Sequence, residues 1–488
     1  MTELKPAPRA PIVKRAALVL ALWLGFWILA LGLVAGLLWV PFAQFAYRSS
    51  VELSGGIAGL AGLTLAYSLR PRRRDGDAAK DIHPLSRETA QPLYALVERI
   101  GAELGIGAPV NIHLISQSSA FIYGKRGLFG TVKSLEVALG LPLIGSMTEP
   151  ELGSVIAHEF GHFVAGDLSL GPWVYRTRNA IARTVTDLDG SMFFLDLLFR
   201  TYGQWFLRMS ASVSRAQEFA ADATAAKAFG AAATCNALNK VHLLDPAWSS
   251  YFHLELVPAL GRGARLPIFD GFRRFCKAAS RRTEVQEAIR KAEQQAVSEY
   301  DTHPSLEERL AALMPGAKPS YLPLADCFSL LGGEAATEQA WYSLFPAEDV
   351  VECVWPRFGQ DVLQARIAAR FAGSWMDPDE LPLAELVPMA SGLDELWPRM
   401  RPDGVSFLSR QGKRNHMKAV LTEWIIACLV KRGYTATLDP GQALRMERDG
   451  LAVEPSALLD AALAATLSVE HLARFEPAAT GATAGECL

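Results

Sequence analysis

His158, Glu159 and His162 stand in the order H-E-x-x-H. On a helix, residues four apart share a face, so both imidazoles can bind one Zn²⁺. Glu159 lies beside them, where a carboxylate can take a proton from a metal-activated water. Two histidines leave zinc short of a third protein ligand. Downstream, R-A-Q-E-F-A-A-D runs from Arg215 to Asp222 in a helical context. Glu218 can supply the third ligand. Asp222, four residues on, can accept an N–H from a ligand histidine and set its tautomer. The alanines of this segment allow close helix packing. A third histidine six residues after His162 is missing, since that position is Leu168. Asp167 competes as a ligand, but a capping or supporting role suits it better.

The motifs A-H-E-F-G-H, S-R-A-Q-E-F-A-A-D and Thr302-His303-Pro304-Ser305 followed by Arg309 resemble the membrane zinc peptidases that include HtpX and the type I CAAX prenyl proteases. Ser119-Ala120-Phe121 with Gly124 is similar as well. The likeness covers about residues 84–313. It implies a gluzincin fold, in which two crossing helices place H-E-x-x-H beside the downstream glutamate. It further implies one Zn²⁺ per chain and hydrolysis of internal peptide bonds in membrane or misfolded proteins, rather than of prenylated C-termini. The implied location is a bacterial inner membrane. The rival class is a catalytically silent zinc-binding scaffold that holds a partner. The intact Glu159 argues against it, because a scaffold has no use for a base there.

Three roles stay open for His303. Pro304 restricts it to an extended conformation and so presents its ring. In gluzincins a second donor beside the zinc is useful to the carbonyl oxygen, and His303 is the candidate. It could instead swing onto the metal as an off switch. Or it belongs to a helix start, with Ser305 as cap, Glu307 and Glu308 in the first turn, and Arg309 paired with one of them. His83, His113, His242, His253, His416 and His471 have no spacing that suggests a metal site.

These residues need rigid elements to hold them. TEPELGSVIAHEFGHFVAGD begins near Thr148 with a proline and acidic residues, both helix-start signals. An amphipathic pattern from about Pro84 to Leu104 puts Leu93, Leu96, Val97 and Ile100 on one face. Val110–Ser116 and Val132–Gly140 alternate like strands. Between the metal motifs lies MFFLDLLFRTYGQWFLRMSAS, where several relatives have further membrane spans. Asp196, Arg200 and Arg208 make such a span costly here. The segment reads as an amphipathic helix at the cleft or the membrane surface, or as ordinary core. Phe193, Phe194, Phe199, Trp205 and Phe206 could line an apolar groove or simply pack inside.

Ala16 to Ala43 carries no charged residue and is long enough to span a bilayer. A second, glycine-rich apolar run covers Leu53 to Leu69. Lys5, Arg9, Lys14 and Arg15 precede the first run, and Arg70, Arg72, Arg73 and Arg74 follow the second. Positive flanks stay cytoplasmic, which predicts a two-helix hairpin with the catalytic domain in the cytoplasm.

The fold expected is mainly α: a gluzincin-type peptidase domain with a small β-sheet, an N-terminal two-helix anchor and a C-terminal α+β appendage. The expected divisions are an anchor over 1–80 (spans 16–43 and 53–69), a peptidase domain over 81–315, an appendage over 320–475 and a disordered tail over 476–488. RDGDAAKD reads as the first linker and PGAKPSYLP as the main boundary. In the appendage, HMKAVLTEWIIACLVKRG reads as a helix, and Asp449-Gly450 as a hairpin turn. A net charge of −3 over 488 residues gives no case for nucleic acid as a partner. The expected partners are protein or peptide substrates and the lipid bilayer. Six scattered cysteines form no C-x-x-C pair, so they read as reduced thiols.

Overall fold

A computed structural model describes residues 9–70, 83–126, 132–164, 177, 180–181, 183–184, 193–294, 298, 301–321, 323–345, 350–402 and 408–475. The RDGDAAKD linker, Asp167 and the tail 476–488 lie outside the described residues. The chain divides into two compact units. The first is Met1–Asp245 with Val285–Leu344, and the second is Pro246–Glu284 with Phe345–Leu488.

The first unit opens with helix α1 (Arg9–Arg48) and helix α2 (Leu53–Leu69). Among the described residues α1 is the one helix long and apolar enough to cross a membrane, over Ala17–Arg48, and α2 is a shorter apolar helix. The connection is tied by an Arg48–Glu52 ion pair. Gln44 adds to it, donating to Ser54 Oγ and accepting from the Glu52 N–H, both at 3.0 Å. The glycines of α2 explain its packing. A methyl group at Gly55 would lie 2.1 Å from the Gln44 side chain, one at Gly59 3.3 Å from Pro41, and one at Gly62 3.0 Å from Leu38. Rising numbers on α2 meet falling numbers on α1, so the two helices are antiparallel and pack at a distance only glycine allows.

Strand β1 (His83–Pro84) precedes helix α3 (Gln91–Glu103). This helix starts later than its apolar pattern predicts. Pro84 is taken up in the sheet, and Pro92 occupies the first helical turn, where its missing N–H costs nothing. Leu93, Leu96, Val97 and Ile100 are buried. Strands β2 (Val110–Ile115), β3 (Ala120–Arg126) and β4 (Val132–Gly140) complete a sheet of order β1-β2-β4-β3. The β2–β4 pair is parallel and the β3–β4 pair antiparallel, which leaves β3 at an edge.

Four further helices line the site. Helix α4 (Glu149–Val164) starts with Glu149 and Glu151, and the Glu151 carboxylate accepts from the Thr148 N–H at 2.8 Å. Helix α5 (Phe193–Phe229) is continuous over 37 residues. Its first half packs on α1, not on the cleft. Phe199 and Phe206 are buried in a cluster with Val19, Phe26 and Leu65. The Tyr202 hydroxyl donates to the Leu22 carbonyl, and the Phe26 and Phe199 rings meet edge to face at 6.0 Å. Trp205 is exposed, and the side chains of Phe193 and Phe194 lie outside the description. Of the two readings of these aromatics, packing inside holds for Phe199 and Phe206, which serve the seam with α1. Helix α6 (Ala231–Tyr251) and helix α7 (Leu306–Leu313) follow.

The division between units differs from the boundary expected near 315–323. Ala325 and Cys327 donate their N–H groups to the Ser146 and Ile144 carbonyls at 3.1 and 2.9 Å, which keeps residues up to Leu344 with the first unit. The second unit instead reclaims Pro246–Glu284. Ala264–Arg265 pairs in parallel with Val351–Glu352, Trp355 Nε1 donates to the Pro267 carbonyl at 2.8 Å, and Gly271 leaves room for the Trp355 ring. Its other core surrounds the helix Arg410–Lys431, where Leu421, Trp424, Ile425 and Leu429 are buried. A three-stranded antiparallel sheet follows, with Asp449 and Gly450 at positive φ joining Arg445–Arg448 to Leu451–Val453.

Candidate metal centre

Helices α4 and α5 approach until Gly161 faces Ala221. A methyl group at Gly161 would lie 3.0 Å from the Ala221 Cα. That contact places Glu218 and Asp222, on either side of Ala221, against the two histidines of α4. His158 Nε2 and His162 Nε2 are 3.2 Å apart. Glu218 Oε2 is 3.6 Å from His158 Nε2, and Glu218 Oε1 is 3.6 Å from His162 Nε2. A tetrahedral zinc with bonds of about 2.1 Å separates its ligands by about 3.4 Å, so this donor set fits that ion. Among the described residues these three form the one group of side chains that could hold a metal in this way.

A ring of supporting groups surrounds the three. Asp222 Oδ1 lies 3.0 Å from His158 Nδ1, the nitrogen turned away from Glu218. His303 Nδ1 lies 3.0 Å from Glu218 Oε1. Arg309 Nη1 lies 3.2 Å from Glu218 Oε2, and the same guanidinium grips Asp222. Burial pushes the Glu218 carboxyl up, but His303, Arg309 and His158 outweigh it and hold the group at about 2. Asp222 is likewise held below the usual carboxylate range, against burial, by Arg309 and His158. Glu159 goes the other way. Burial raises it, and the pull of His158 and His162 does not cancel that. The neighbours of Glu218 and Asp222 thus favour their charged forms, whereas burial works against charge on Glu159.

The predicted Arg309 pairing with Glu307 or Glu308 does not form. Ser305 and Glu308 make a reciprocal capping box, as expected of a helix start, and Arg309 turns inward. Leu306, Leu310 and Leu313 are buried, and Arg309 lies in their stripe at helical spacing. A charge in an apolar stripe needs a buried partner, and the sequence carries that signal. His242 lines the cleft, with Nδ1 donating to the Leu238 carbonyl at 3.0 Å. Among the described residues it belongs to no group that could hold a metal, in keeping with its spacing. His113 bonds the buried Glu136, and His253, His416 and His471 bond nearby oxygens.

Residues 88–315 match the model of peptidase family M48. That stretch contains every residue of the metal centre. The match and the relatives below support a membrane-anchored metalloprotease. A protease HtpX homolog of Sulfurovum sp. (strain NBC37-1) is 28% identical over 218 residues, 39% of this chain and 75% of that protein. A protease HtpX homolog of Desulfatibacillum aliphaticivorans is 25% identical over 262 residues, 49% of this chain and 72% of that protein. The crystal structure of S. mikatae Ste24p is a looser likeness, with 17% identity and a TM-score of 0.29 over 60% of this chain and 67% of that one. The M48 proteases are zinc-dependent in general, and the His158, His162 and Glu218 donors of this chain suit that ion.

Proposed function

We propose that the chain is a membrane-anchored zinc endopeptidase with one Zn²⁺ per chain, held by His158, His162 and Glu218. The supporting observation is the convergence of two imidazole nitrogens and one carboxylate at tetrahedral spacing, with Glu159 beside them. Bound zinc supplies Lewis acidity, which activates water and polarises the scissile carbonyl. Glu159 takes the proton from the attacking water and passes it to the leaving amine. Asp222 holds His158 in the tautomer whose Nε2 is a donor to metal. His303, exposed at the cleft and 3.0 Å from Glu218, is the donor for charge growing on the carbonyl oxygen.

The substrates are membrane or misfolded proteins. Helix α5 supports this reading, because the helix that packs on α1 also bears Glu218. Val213 belongs to the apolar seam, and Glu218 follows five residues later, about 7.5 Å along the axis. The centre would then work just above the bilayer. The positive flanks of the hairpin favour an inner-membrane protein with the protease unit in the cytoplasm. A silent zinc scaffold is disfavoured by Glu159, which no binding role requires. Casein digestion by the purified full chain tests the reading. Cleavage should require metal, stop with chelator and return with added zinc. Digestion that ignores chelator overturns it.

A further inference from the structure

The second unit carries a concentration of positive charge that its fold does not require. The sequence from Trp397 to Lys418 holds six basic residues and one acidic residue, Asp403, in a chain whose net charge is −3. The structure brings five of these cations together on two packed helices. Arg399 and Arg401 stand at the end of the short helix Trp397–Met400, and Arg410, Lys413 and Arg414 at the start of the helix Arg410–Lys431. The two helices are tied to each other. His416 Nε2 donates to the Met400 carbonyl at 3.0 Å, and its ring meets that of Trp397 edge to face at 6.1 Å.

Charges elsewhere on this unit come in pairs. Arg357 meets Asp361, Lys418 meets Asp460, Lys431 meets Asp379 and Arg445 meets Glu454, each at 3.2 Å or less. Of the five clustered cations, Arg410 alone reaches a carboxylate among the described residues, that of Asp394 at 4.0 Å. Arg399, Arg401, Arg410 and Arg414 are exposed. The helix does not account for them either. A first helical turn favours negative charge, and this one has no acidic residue there. Two indoles lie beneath the cations. The Arg399 guanidinium is 3.7 Å from the centre of the Trp375 ring, and Lys413 Nζ is 5.4 Å from that of Trp397. Both tryptophans are half-buried against the core of this unit. Stacking on an indole holds a guanidinium in place and leaves its N–H edge for an anion.

We infer that this surface docks on the anionic face of the lipid bilayer that holds the chain. Cations fixed above tryptophans match a bilayer surface, which presents phosphates outside and a boundary layer that indoles favour. The chain is already held at a bilayer through α1, so the contact acts as an intramolecular one and needs little affinity of its own. The proposed cytoplasmic side faces the leaflet that carries anionic lipid. Each basic side chain near such a leaflet strengthens binding about fivefold. An acidic protein would match the charge but would have to be recruited from solution.

The test uses the full chain in lipid nanodiscs, made either of phosphatidylcholine alone or of phosphatidylcholine with phosphatidylglycerol. An amine-reactive label and mass spectrometry read Lys413 against Lys431, at the other end of the same helix. Lys413 should react at least about fivefold more slowly in the anionic discs. The difference should vanish near 1 M salt, where charge attraction reaches only about 3 Å. Arg401→Gln, Arg410→Gln and Arg414→Gln together should abolish the protection. Arg357→Gln, Arg366→Gln and Arg445→Gln together remove the same charge elsewhere on the unit and should keep it. Thermal unfolding and casein cleavage report that both triple variants stay folded. Equal labelling of Lys413 in the two kinds of disc overturns the docking. Protection that ignores salt does so too, as does protection gained only from added polyglutamate, which would mark an acidic protein as the occupant. Those outcomes leave the peptidase reading standing. A chain that does not enter the discs overturns the anchor, and the docking with it.

Discussion

Arg309 grips Asp222 with two parallel hydrogen bonds, Nε to Oδ2 at 2.8 Å and Nη2 to Oδ1 at 2.6 Å. Its third nitrogen reaches Glu218, and Asp222 in turn faces His158. One buried cation therefore orients two of the three candidate ligands. The planar fork matters here, because a lysine cannot bond both carboxylates in this geometry.

Arg309→Lys should lower zinc affinity by about 10–100-fold, the usual effect of losing a group that orients a metal ligand. Arg309→Ala should cost more, because two buried carboxylates lose their counter-charge; roughly 3–5 kcal/mol of stability is expected. Zinc titration and thermal unfolding measure the two effects. Full zinc affinity in Arg309→Lys would remove the orienting role.

Glu159→Gln should retain a full equivalent of zinc and lose about 10²–10⁴ in turnover, the range for a general base. Single-turnover peptide cleavage with zinc analysis checks both halves. Turnover within about tenfold of wild type would end the assignment of Glu159 as base.

Glu218→Ala should reduce zinc occupancy more than Asp222→Ala. Glu218 would donate to the metal directly, whereas Asp222 acts through His158. Equal zinc content in wild type and Glu218→Ala would call for another third ligand, with Asp167 tested next.

The membrane topology gives a separate prediction. A cysteine placed by Asp77→Cys, in a chain lacking its other thiols, should resist an impermeant reagent in intact cells and react after lysis. Labelling from outside would reverse the orientation proposed from the arginine flanks.

Glu136 predicts a pH effect on stability away from the metal centre. Its carboxylate is buried, but it accepts from Asn111 at 3.0 Å and Ser134 at 2.7 Å and faces His113 at 2.6 Å. Burial pushes the carboxyl up, and these partners with Lys125 hold it at about 2. Its folded value lies below the unfolded value of about 4.3. The stabilisation is complete above the unfolded value and is lost as pH falls toward 2. Between pH 6 and 3 the wild type should lose more stability than Glu136→Gln. Parallel Tm curves for the two proteins over that range would contradict this.

The sequence by itself determined whatever is local. His158, Glu159 and His162 share a helix, as do Glu218 and Asp222, so a fixed rise of one turn per four residues was enough to pair them. The uncharged run from Ala16 to Ala43 reads as a membrane helix because length and composition alone decide that. The tertiary structure decided what depends on distant segments meeting. Asp222 and Arg309 are 87 residues apart, and only the packing of α7 on α5 shows that the arginine's partner is not its neighbour Glu308. The PGAKPSYLP segment reads as a loop from its prolines and glycine. To which core the chain returns after it was settled by the Ala325 and Cys327 hydrogen bonds. The cleft at the metal centre is likewise lined from α4, α5, α6 and α7, none of which forms a pocket alone.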